Sequence, residues 1–116
     1  GDYAGEKAAV TAAKESFEQS YLKKVSFPVL EYQKKIYTGA VELFADINNA
    51  DELDKANRAF IDINNIFTRE NSEELQWITA AAENDKEYRN AMDEVKACYE
   101  KVLDASDNKA SELGLR

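Results

Sequence analysis

Between Glu6 and Leu113 the chain holds one proline, Pro28, and one glycine, Gly39. These are the strongest helix breakers, costing roughly 3 and 1 kcal/mol against alanine in a helix interior. A stretch this long that nearly lacks both, and is rich in Ala, Glu, Lys and Leu, is built to be helical. The same scarcity constrains chemistry, because phosphate-cradling loops and strained catalytic turns need glycine.

At 116 residues the chain is expected to form one domain, 1–116. Hydrophobic residues make up 44% of it, enough for a core even with 33% charged. No apolar run approaches the ~20 residues a membrane span requires, so membrane insertion is not expected. The net charge of −8 repels phosphates and anionic surfaces, which disfavours nucleic acid as a partner. The chain opens on Gly1, the mark of a tag scar or a trimmed end; the reading leans toward an exported protein, with the cytoplasm as the alternative.

Four segments carry helical periodicity. The first spans about residues 6–25, with Val10, Ala13, Phe17, Tyr21 and Val25 on a narrow stripe. Ser26-Phe27-Pro28 then predicts a turn, since proline suits the first position of a helix and pushes its predecessor out of the helical region. The second helix, about 28–47, is apolar over half its circumference and is expected to be the most buried. Asn49 and Glu52 form a capping box for a third helix, about 50–68, with Leu53, Ala56, Phe60, Ile63 and Phe67 on one stripe. The fourth, about 72–106, is capped by Asn71 or Ser72 and interrupted at Asn84-Asp85; residues 107–116 read as a frayed tail. The expected fold is all-α, an up-and-down four-helix bundle with short loops. The alternative is a three-helix bundle whose first helix is kinked at Pro28.

Most catalytic apparatus has no residues to build it. There is no histidine, which removes the usual general base, the commonest metal ligand and the di-iron bundle site. One cysteine, Cys98, allows neither a thiolate cage nor an internal disulfide, and its place beside an apolar stripe predicts a packed thiol. A calcium loop begun at Asp46 meets Ala50 where a ligand belongs, Asp51 where glycine belongs and Asn57 where a bidentate Glu belongs. Paired carboxylates such as Asp51 with Asp54, or Glu73 with Glu74, fall on polar faces. Asp85 alone interrupts an apolar one, as a local kink or bundle-end position or as a buried polar contact or ligand group. No cofactor, metal or catalytic residue is expected.

The leading expectation is therefore a non-catalytic protein-interaction module whose partner is another protein, a second copy of the chain included. Leu22 and Ile61 project away from the stripes of their own helices, and with Tyr37 and Val41 they form the predicted contact patch. The alternative is a carrier for a small apolar or aromatic ligand, with Trp77, Tyr88, Met92 and Tyr99 as cavity walls. In general character the chain resembles small, processed, helical proteins of the bacterial envelope.

Overall fold

The first helix does not stop at proline. In the structure, a computed structural model describing the backbone of residues 2–116 and the side chains of 5–116, α1 runs unbroken over Asp2–Ala45. Gly1 lies outside the described residues. After α1 come α2 (Ala50–Glu70), α3 (Ser72–Ala82) and α4 (Lys86–Glu112), with no strand among the described residues. The fold is all-α with four helices, and the division of the chain among them corrects the expected boundaries.

The turn predicted at residues 26–28 is absent, and the reason lies in which side Pro28 faces. Proline removes the N–H that would bond the carbonyl of Lys24. Both Pro28 and Lys24 are exposed, so water can satisfy that carbonyl and the helix passes through. The predicted helices 6–25 and 28–47 are thus one.

The predicted fourth helix, 72–106, is instead two. Its break falls at the Asn84-Asp85 interruption, where Asp85 takes an extended conformation (φ −127°, ψ 114°) and its Oδ1 accepts from the N–H of Glu87 at 2.9 Å. Asp85 is therefore the N-cap of α4, as the reading of a local break anticipated. The expected tail is also corrected. α4 continues to Glu112, Ala110 is buried, and Gly114 ends the helix in the left-handed region at φ 76°. The N–H of Leu115 bonds the carbonyl of Ala110, and that of Gly114 the carbonyl of Ser111, a Schellman stop.

Asn49 caps α2 as predicted, accepting from Glu52 N–H at 2.9 Å; Glu52 Oε2 returns a bond to the N–H of Asn48. Asn71 makes no side-chain cap bond to α3, and Ser72 lies inside that helix. Asn71 Nδ2 instead donates back to Phe67 O, while its backbone continues the ladder from Phe67 to Leu75.

The four helices lie as three rods. Tyr32 stacks near Phe67 and Tyr37 meets Phe60, so α2 returns antiparallel to α1. Leu75 and Ile78 on α3 then stand beside Leu30, continuing in the same direction as α2. α4 climbs again alongside α1: Lys23 bonds Glu87 at 2.8 Å, Lys34 bonds Glu94 at 3.0 Å, and Lys109 Nζ reaches Ala45 O at 3.1 Å. Between the rods pack Leu30, Tyr37, Phe44, Phe60, Ile78 and Val102.

The molecule measures 76 × 23 × 16 Å, and α1 alone accounts for about 66 Å at ~1.5 Å per residue. Its first part has no rod beside it: residues 5–21 are exposed throughout, and burial begins at Leu22.

Candidate functional site

The predicted contact patch does not assemble. Tyr37 is 3% exposed, wedged between Phe60 and Tyr99 at ring distances of 5.8 and 5.5 Å. Its hydroxyl donates to Asn64 Oδ1 at 2.7 Å and accepts from Gln33 Nε2 at 3.0 Å. Burial raises its pKa above the ordinary 10.0, the bond from Gln33 opposing. Tyr37 is a core residue, and Val41 packs half-buried against the same core. Both were placed at the margin of an over-wide stripe; α4 covers that side. Leu22 is half-buried in a cleft with Ala81, Asn84 and Tyr88, while Ile61 is exposed on α2.

The predicted cavity walls separate too. Met92 and Tyr99 line a cleft of about 270 Å³ between α1, α3 and α4, below the roughly 300–1,000 Å³ of small-molecule sites. Trp77 does not line it. Tyr88 lines a separate cleft of about 370 Å³ with Leu22, Asn84 and Asp85, and lies 4.9 Å from the ring of Phe27 with Lys23 Nζ 5.8 Å above its own ring. Cys98 is half-buried against the core, as its stripe position predicts.

Beside Tyr88 lies a three-membered charge cluster. Lys23 Nζ sits 2.8 Å from Glu87 Oε2 and 3.3 Å from Asp85 Oδ2, tying α1 to the start of α4. Its pKa is raised, first by the bond to Glu87 and then by that to Asp85. Desolvation pushes the Asp85 carboxyl up, but the Glu87 N–H and Lys23 outweigh it and the net shift is downward. A carboxyl held ionised in this way is a poor proton donor. Among the described residues no three His, Cys, Asp or Glu side chains gather to hold a metal.

What the structure does assemble is an apolar face along α1. Val10, Phe17, Tyr21, Tyr32 and Leu43 are large, apolar or aromatic, and exposed. At 100° per residue they fall within an arc of about 80°. The arc begins on the projecting segment and continues onto the bundle, where Ile36, Gly39 and Leu43 meet Ala59 and Ile63 of α2 across a groove of about 280 Å³. Ile66, three residues on from Ile63 in α2, is also exposed. The periodicity of Val10, Phe17 and Tyr21 was visible in the sequence as a helix stripe; that it lacks an intramolecular partner was not. Comparison with known proteins finds no family model, curated protein or solved structure that the chain matches.

Proposed function

We propose that this chain is a non-catalytic protein-interaction module whose binding element is the open face of α1. One observation carries the reading: Phe17 is 71% exposed and Tyr32 61% exposed on the same arc of one 44-residue helix. Isolated exposed apolar residues are ordinary, but a row of five on a single face is a docking surface without its cover. The absence of histidine and the lowered Asp85 carboxyl both argue against acid–base chemistry as the alternative. Among the described residues no helix is long and apolar enough to cross a membrane.

Affinity capture from native lysate, with the wild-type chain and a Phe17→Glu, Tyr32→Glu chain as parallel baits, tests the reading. Retained proteins should disappear with the double substitution while the helical circular dichroism spectrum stays unchanged. Identical capture by both baits would refute the assignment to this face.

A further inference from the structure

We infer that the cover of the α1 face is a second copy of the same chain, laid antiparallel so that each projecting segment fills the other copy's α1/α2 groove. The inference rests on the interaction-module reading and names its partner.

The face is self-complementary. Val10, Lys14, Phe17, Tyr21, Val25, Pro28, Tyr32, Ile36, Gly39 and Leu43 are spaced by fours and threes in the same order from either end. Two such helices set antiparallel about a two-fold axis beside Val25 and Pro28 bring Val10 against Leu43, Phe17 against Ile36 and Tyr21 against Tyr32, each contact occurring twice. Lys14, a charged member of the row, then meets Gly39, in the groove that Lys35 also lines. That glycine is otherwise unexplained: an added Cβ would meet nothing within 4 Å, so no packing inside the chain requires it. A glycine in the floor of a groove leaves room for another helix to approach and for the stem of a lysine to lie across it.

Charge fits the same register. Lys24 is exposed and enters no ion pair among the described residues. Flanking the face, it stands opposite Glu31 of the other copy, whose carboxylate also pairs with Lys34 of its own chain at 2.6 Å, and the symmetry repeats the contact. The antiparallel arrangement also sets the two bundles, each part of a chain of net charge −8, toward opposite ends of the assembly.

Area selects the full-length contact over a smaller one. Pairing the two projecting segments alone joins ~25 Å of helix, a strip about 10 Å wide covering roughly 250 Å² per copy. That total of ~500 Å² falls short of the ~1,000 Å² a specific interface needs. Val10 to Leu43 spans ~50 Å, about 500 Å² per copy before Ile63 and Ile66 add their share, and reaches the threshold.

Sedimentation equilibrium over a micromolar range should give a dimer for the wild type and a shift of about 30-fold or more in its dissociation constant for Phe17→Glu. Register is read by disulfide trapping in a Cys98→Ser background. A mixture of Tyr21→Cys and Tyr32→Cys chains should form a cross-linked dimer that neither forms alone. A monomer throughout the range, or a dimer indifferent to Phe17→Glu, overturns the second copy, as does trapping by Tyr21→Cys alone, which marks a parallel pair. Lysate capture keeps the two claims apart: a monomer whose capture still depends on Phe17 ends the self-association and leaves the module, whereas capture indifferent to Phe17 and Tyr32 ends the module.

Discussion

One continuous helix is two different objects along its length. From Ser26 to Ala45, α1 is a core element: Leu30, Tyr37 and Phe44 are buried among side chains of α2, α3 and α4. From Gly5 to Tyr21 the same helix carries its large apolar residues on a different face, the one that Tyr32 and Leu43 continue, and these residues stay exposed. Helical periodicity therefore reports that a face will be covered, without saying by what. In the bundle half the chain covers the face of Leu30, Tyr37 and Phe44 and leaves that of Tyr32 and Leu43 open; in the projecting half residues 5–21 are exposed throughout. The contrast also explains the elongated outline, since a helix needs ~1.5 Å per residue whether or not it has neighbours.

The sharpest way to break the comparison is to shorten the same residue type in both halves. Phe44 is 1% exposed, and Phe44→Ala should cost about 3–5 kcal/mol of unfolding free energy through lost burial and a cavity. Phe17→Ala should change it by less than about 0.5 kcal/mol, measured by urea denaturation at concentrations low enough for the monomer. A large loss at Phe17 in that dilute regime would mean that the projecting half is docked within its own chain.

Pro28 marks the join between the halves. In an uninterrupted helix, Pro28→Ala should stabilise by about 2–3 kcal/mol, because alanine restores the N–H and relieves the clash. Were Pro28 the first residue of a separate helix, the same change would gain nothing. A denaturation midpoint unmoved by Pro28→Ala would restore the turn and with it a different first helix.

These outcomes bear on how much the sequence could say. The stripes of 28–47 and 50–68 contain the core residues Leu30, Tyr37, Phe44, Leu53, Ala56, Phe60 and Phe67, but Ile63, read on the same stripe of α2, is exposed at the groove, as are Tyr32 and Leu43 on α1. The cap at Asn49 was legible for a local reason: its acceptor and its donor are three residues apart. Pro28 misled because its effect depends on whether the orphaned carbonyl meets water, which is a tertiary fact. Asp85 was seen as an interruption, yet its capping role needed the backbone angle. Gly114, two residues past Glu112, was a readable stop signal that contradicted the frayed tail. As for the site, Leu22 and Ile61 deviate from the stripes of their helices, whereas the open face is the stripe of the first half of α1 itself. Tyr37 and Val41 could not be excluded from it without knowing where α4 lies.

A third substitution separates the groove from the helix that forms it. Gly39→Ala should stabilise the isolated chain by about 1 kcal/mol, since a Cβ there has space and alanine is the better helix former. Thermal melts at low concentration read that gain. Destabilisation in the dilute chain would show that the position is crowded from within α1 and α2, and the groove would lose its meaning as open ground.

The smallest effect belongs to the boundary itself, where Lys23 holds the start of α4 against α1. Asp85 is lowered from its ordinary 3.8, so its contribution is complete above that value and fades as pH falls through the folded pKa. Lys23 is raised above 10.5, so its contribution is complete below that value and fades as pH rises through the folded pKa. The clamp should therefore be fully set between these two values and release at both extremes. Melts of the wild type and Asp85→Asn across about pH 2–11 isolate the acid limb, because asparagine keeps a cap acceptor and loses the charge. Their difference should be level through neutral pH and shrink below about pH 4. No difference at any pH would reduce Asp85 to its capping bond, which asparagine also makes, and leave Glu87 as the carboxylate that fixes where the covered half of α1 begins.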